Sequence, residues 1–163
     1  MRNADPPRHD DHGETEQLTA SVVRPRLTII FVAAWAIIQV VRISGLSVAQ
    51  GVLAGHDSPA WLYPGLVDTF LAVTAPFVAF ALWRRTGLTI WVTAIAWFIV
   101  SVVDHLDGLT AALTTPLPTA FRSSPPMVAI AFLLLSSIDL TAVALLARRS
   151  MRSHYLGPPR SGG

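Results

Sequence analysis

Hydrophobic residues in this chain collect in four runs, at about 27–46, 64–83, 88–106 and 126–147. Each approaches the roughly 20 apolar residues that a helix needs to cross the hydrocarbon core of a bilayer. A backbone inside lipid must satisfy its own polar groups, and no residue-by-residue alternation suggests barrel strands. The pattern therefore predicts an all-α fold, a bundle of four transmembrane helices over residues 25–148. Arg84-Arg85-Thr86-Gly87 reads as a tight turn, and 47–63 and 107–125 as longer loops rich in Gly, Pro, Ser and Thr. Pro64-Gly65 and Pro125-Pro126 mark helix entries. The polar stretches 1–24 and 149–163 read as disordered tails, because neither has enough apolar surface to order itself. No short apolar run follows a basic start, so a secretory signal is not expected.

Charge gives the bundle a direction. Arg2, Arg8, Arg24 and Arg26 precede the first span, Arg84 and Arg85 sit in the tight turn, and Arg148, Arg149, Arg152 and Arg160 follow the last. Only Arg42 and Arg122 lie towards the other side. Basic residues beside short loops are retained in the cytoplasm, so both termini are expected there, in a multi-pass protein of the plasma membrane. Trp61, Tyr63, Trp83 and Trp91 fall where interfacial aromatic belts are expected, whereas Trp35 and Trp97 lie well inside their spans.

The first and third spans resemble each other at a constant offset. Trp35, Gln39 and Arg42 match Trp97, Ser101 and Asp104, and the second and fourth spans both end in a pair of arginines. The chain thus reads either as a duplicated two-helix hairpin or as apolar helices of few residue types that are alike by chance. In each matched trio the residues stand at i, i+4 and i+7, which places them on one helix face. One face ends in a cation and the other in an anion, so an Arg42–Asp104 pair near the outer surface is the natural expectation.

Charged residues within a span cost roughly 2.5–3.5 kcal/mol each on insertion scales, and they usually face the bundle interior. Asp139 is the clearest case, with Ser136 one turn earlier on the same face. It reads either as a carboxyl responsive to protons or cations, or as a neutral tie between helices. Pro76 removes a hydrogen bond inside the second span and predicts a kink there. Asp68, Ala72, Ala75 and Ala79 form a stripe of small side chains that would let helices approach closely. His105 and Asp107, with His56 in the first loop, are weak candidates for metal ligation, since Asp104 and His105 are adjacent and diverge by about 100° on a helix.

Composition agrees with lipid as the surrounding medium. Hydrophobic residues make up 52% of the chain and charged ones 13%, against about 25% charged in soluble domains. With no cysteine, disulfides and thiol chemistry are excluded. The arginines do not cluster with exposed aromatics, so no nucleic-acid surface is expected. No hydrolase, kinase, phosphate-loop or zinc-protease motif is present, and no cofactor is implied.

The stretch Arg42-x-x-Gly45, Gly51, Gly55, Pro64-Gly65-x-x-Asp68, Ala75-Pro76, Ala79, Arg84-Arg85, Trp97 and Asp104 resembles a broad group of uncharacterised bacterial multi-span membrane proteins. In that group a Pro-x-Gly-x-Gly-Asp-like segment opens a helix, Ala-Pro follows, and a later helix carries Trp-Asn, then Gly and Asp. Leu66, Val67, Phe98 and Ser101 depart from that pattern here. The likeness covers about residues 42–108 and implies a helical membrane fold, with Asp68, Pro76 and Asp104 as motif positions. It implies no reaction. Few polar groups and short loops favour a small accessory protein acting by association with lipid and with a second copy or another membrane subunit. The alternatives are a transporter or channel component using Asp139 and the Arg42, Asp68 and Asp104 group, and then an outer-leaflet enzyme.

Overall fold

The computed structural model describes residues 26–157. Helix α1 runs Arg26–Leu53 and contains a 3-10 segment, Gln39–Ser44. A short 3-10 turn, Pro59–Trp61, leads into α2, Leu62–Arg84. Then come α3, Leu88–Thr114, α4, Pro125–Leu146, and a short α5, Arg149–Leu156. No strand occurs among the described residues.

Local chemistry explains the boundaries. Gly87 at φ +122° makes the turn into α3, a conformation that costs glycine little. Ser124 is extended, and Pro125-Pro126 begin α4 where their missing N–H groups would be unpaired in any case. Pro76 lies inside α2, which continues through it to Arg84, and its ring is exposed on the outer face of the bundle.

Four of these helices are long and apolar enough to cross a membrane. Their outward faces carry large apolar side chains, including Leu66, Phe70, Phe77, Phe80, Ile99, Leu133 and Leu140. Water would not tolerate so much contiguous apolar surface, so this is a multi-pass helical membrane protein. α1 and α3 hold 28 and 27 residues, which is about 40 Å of helix against a core about 30 Å thick. Both run well past the expected ends at 46 and 106. Residues expected near the outer surface therefore lie deep inside: Asp104 is about 15 Å short of the end of α3.

The interior has three layers. Towards the arginine-rich end, Ile29, Val32, Ala36, Leu71, Ala75, Leu82, Ala94, Phe98, Ala142 and Leu146 form one apolar cluster. Towards the opposite end, Val48, Trp61, Ala111 and Ala112 form a smaller one, flanked by Phe121 and Phe132. Charged and polar side chains occupy the layer between them.

Close crossings hold that layer together. A Cβ on Gly45 would come within 2.4 Å of Asp68 Cβ and 2.8 Å of the Gly65 carbonyl, so α1 and α2 touch almost backbone to backbone. Gly108 makes room for the Phe132 ring between α3 and α4. The small-residue stripe is consumed inside the bundle, since Ala72 and Ala75 are both buried.

Two expectations need correction. The chain after 149 is not an irregular tail throughout: α5 folds under the bundle, burying Met151 and Tyr155, and the Tyr155 hydroxyl donates to the Leu82 carbonyl at 3.0 Å. Two apolar side chains at i and i+4 suffice to seat it. Trp61 is not part of an interfacial belt, because it is buried and its indole N–H donates to the Pro116 carbonyl at 3.0 Å. Residues 1–24, expected to be disordered, fall outside the described part, as do 158–163.

Candidate functional site

The middle layer is built around Arg42 and Asp139. Arg42 stands in the 3-10 segment of α1, where side chains three apart eclipse each other. Gln39 and Arg42 therefore both point inward, and the guanidinium touches Gln39 Oε1 at 3.4 Å. Arg42 Nε donates to Asp68 of α2, while its terminal nitrogens donate to Asp104 and Ser101 of α3. One cation thus joins three helices, and the expected Arg42–Asp104 pair is present.

Asp139 is fully buried on α4. Its Oδ1 accepts from the Trp35 indole at 2.7 Å and from the Gln39 amide at 3.0 Å, and its Oδ2 accepts from Ser101 at 2.5 Å. The carboxyl therefore receives donors from α1 and α3. Ser101 links the two halves, accepting from Arg42 and donating to Asp139.

The matched positions of the two hairpins meet in this layer. Arg42 pairs with Asp104, and Gln39 and Ser101 both hold Asp139. The two tryptophans diverge, since Trp97 donates to Thr74 Oγ1 at 2.9 Å on another side of α3.

The structure separates the three weak metal candidates, His105, Asp107 and His56. His105 is buried, with Nδ1 3.2 Å from Asp139 Oδ2, close enough for an ion pair but not aligned as a hydrogen bond. Asp107 and His56 are exposed. No group of three His, Asp or Glu side chains suited to a metal ion occurs among the described residues. Asp57 instead ties the α1–α2 loop to the α3–α4 loop, accepting from the Thr119 backbone N–H at 2.9 Å.

Comparison with known proteins gives this arrangement no precedent: the chain matches no family model, no curated protein and no solved structure.

The layer is unbalanced in charge. Asp68, Asp104 and Asp139 face one guanidinium and one imidazole. Three buried atoms, Asp104 Oδ1, His105 Nδ1 and Ser136 Oγ, have no hydrogen-bond partner among the described residues. The antiparallel register that sets Ser101 against Asp139 and Gly108 against Phe132 puts Ser136 level with Asp104. Partnerless polar atoms and surplus carboxylates thus occur at one height. Asp68, 23% exposed, is the only one of the three carboxylates not buried. Sequence reasoning placed Asp139, Gln39, Ser101 and Ser136 on inward faces but assigned His105 to the wrong neighbours.

Proposed function

We propose that this protein is a small transport component coupled to protons or a monovalent cation, working through the layer around Arg42 and Asp139. The observation that carries this reading is the charge imbalance: three carboxylates share one arginine and one histidine between two apolar clusters. A structural clamp would need one acid for its base. Each further buried charge is expensive unless a proton or cation neutralises it. Charged sites halfway across helical bundles are where transporters of known design hold their coupling ions.

The orientation follows the arginines, with both termini cytoplasmic and the bundle in the plasma membrane. Four helices enclose little space, so the working unit includes a second copy or another membrane subunit. Kinship with the bacterial multi-span group belongs to this proposal, since its motif positions Asp68 and Asp104 are two of the three carboxylates. Association through the small-residue stripe is disfavoured, because Ala72 and Ala75 of that stripe pack within the bundle.

The test is a flux survey in proteoliposomes. Proton, sodium and potassium gradients are imposed on vesicles holding wild type, Asp139→Asn or no protein, with oligomer size measured in parallel. Wild type should dissipate one of these gradients and Asp139→Asn should not. Equal leak in all three preparations overturns the proposal.

A further inference from the structure

Apart from the charged layer, the bundle carries a groove on its outer surface between α2 and α3. Its volume is about 340 Å³, within the range of sites that hold small ligands. Ala94 and Trp97 form its floor, and Phe70 and Phe77, both largely exposed, form one wall. Ala81 keeps it open near the tight turn. The lining is almost wholly apolar. Its Thr74 hydroxyl is already engaged, donating to the Phe70 carbonyl at 2.8 Å and accepting from the Trp97 indole.

The groove has a direction. On α2 the lining positions 70, 74, 77, 78 and 81 follow the spacing of one helix face, the next position on that face is Arg84, and Arg85 follows at once in extended backbone beyond the helix end. Both arginines are exposed. From Phe70 to Arg84 the helix rises about 21 Å, roughly the thickness of one lipid leaflet with its headgroup. No acidic residue lies at this end among the described residues, whereas Arg26, Arg148, Arg149 and Arg152 do. An apolar trough of leaflet length that ends in two cations matches an anionic phospholipid: one acyl chain along the helices and a phosphate at the turn.

The geometry points to a specific site for an anionic phospholipid, with its acyl chain in the α2–α3 groove and its headgroup on Arg84 and Arg85. A neutral lipid would fill the groove without engaging the arginines. A second copy of the chain would cover the groove with apolar side chains and bring like-charged turns together.

Native mass spectrometry of the full chain, stripped gradually of detergent, reads the site directly. The probes are phosphatidylglycerol and phosphatidylcholine with identical acyl chains, supplied in equal amounts. Wild type should retain one phosphatidylglycerol per protomer in preference to phosphatidylcholine. Arg84→Gln with Arg85→Gln should reduce that preference by on the order of tenfold or more, since each basic residue near a lipid surface contributes about fivefold. Ala81→Leu should reduce retention of both lipids by filling the trough from its partly buried edge. The arginine pair is exposed, so its replacement leaves the fold intact, and unchanged thermal unfolding checks this. Equal retention of the two lipids by wild type, or a preference that survives loss of both arginines, overturns the proposal. So does a lipid-free dimer that Ala81→Leu dissociates. None of these readouts depends on ion flux, so the lipid site and the proposed transport stand or fall separately.

Discussion

Replacing Arg42 with methionine removes the only guanidinium in the charged layer and leaves Asp104 and Asp68 facing each other across α2 and α3. Asp104 is 2% exposed, and Arg42 is the only cation paired with it among the described residues. Asp68 is 23% exposed and partly screened, so most of the penalty falls on Asp104. Breaking a buried ion pair by removing one member costs about 3–5 kcal/mol, and Arg42→Met should destabilise the bundle by that amount. Asp104→Leu alone should cost a similar amount, because the guanidinium then keeps only Asp68 and Ser101. The double variant should cost less than the sum, because the buried Asp104 charge is gone and only the partly screened Asp68 loses its partner. The coupling energy is therefore expected to be about 2–4 kcal/mol. Reversible unfolding in mixed micelles, followed by tryptophan fluorescence at neutral pH, measures all four corners of the cycle. Ordinary hydrogen bonds between membrane helices couple by about 0.6 kcal/mol and at most about 1.7. A coupling no larger than that refutes the view that Arg42 neutralises the layer.

Three further outcomes are expected. Trp35→Phe keeps the ring but removes the 2.7 Å donor to Asp139, and should cost about 1.5–3 kcal/mol in the same unfolding assay, while Trp83→Phe, at an exposed position, should cost almost nothing. Gly45→Ala forces α1 from α2, since the new methyl meets Asp68 Cβ at 2.4 Å; a loss of about 1–3 kcal/mol is expected, and unchanged stability would contradict the close crossing. Burial pushes the Tyr155 phenol up from 10.0 to about 12, so the unfolded chain releases this proton first and the contribution of α5 should fade between those values as pH rises. In a Tyr63→Phe background the phenolate absorbance of Tyr155 reports that titration directly, and a midpoint near the ordinary value would show that α5 does not dock.

Much of this fold could be read before the coordinates, and the reason is physical. Lipid permits few ways to satisfy a backbone, so long apolar runs translate almost directly into helices. The equal spacing of Trp35, Gln39 and Arg42 against Trp97, Ser101 and Asp104 foretold which faces meet and which charges pair. Depth was misjudged, because α1 and α3 continue through less apolar sequence to Leu53 and Thr114 and carry Arg42 and Asp104 inward with them. The partner of His105 was hidden because adjacency along a helix says nothing about the helix opposite, and α4 supplies Asp139 from 34 positions away. The 3-10 segment left no mark that periodicity could detect, although it sets Gln39 and Arg42 in one row. α5 escaped notice because only Met151 and Tyr155 anchor it.

The two apolar clusters also govern tempo. Phe98, Leu71 and Ala142 pack on one side of the charged layer, and Trp61 and Ala111 on the other. If the layer exchanges protons or cations as proposed, each exchange waits for packed helices to part, a motion of microseconds to milliseconds. A transport component built this way would count individual events, at the pace of a turnstile, and would not carry a current at the pace of an open pore.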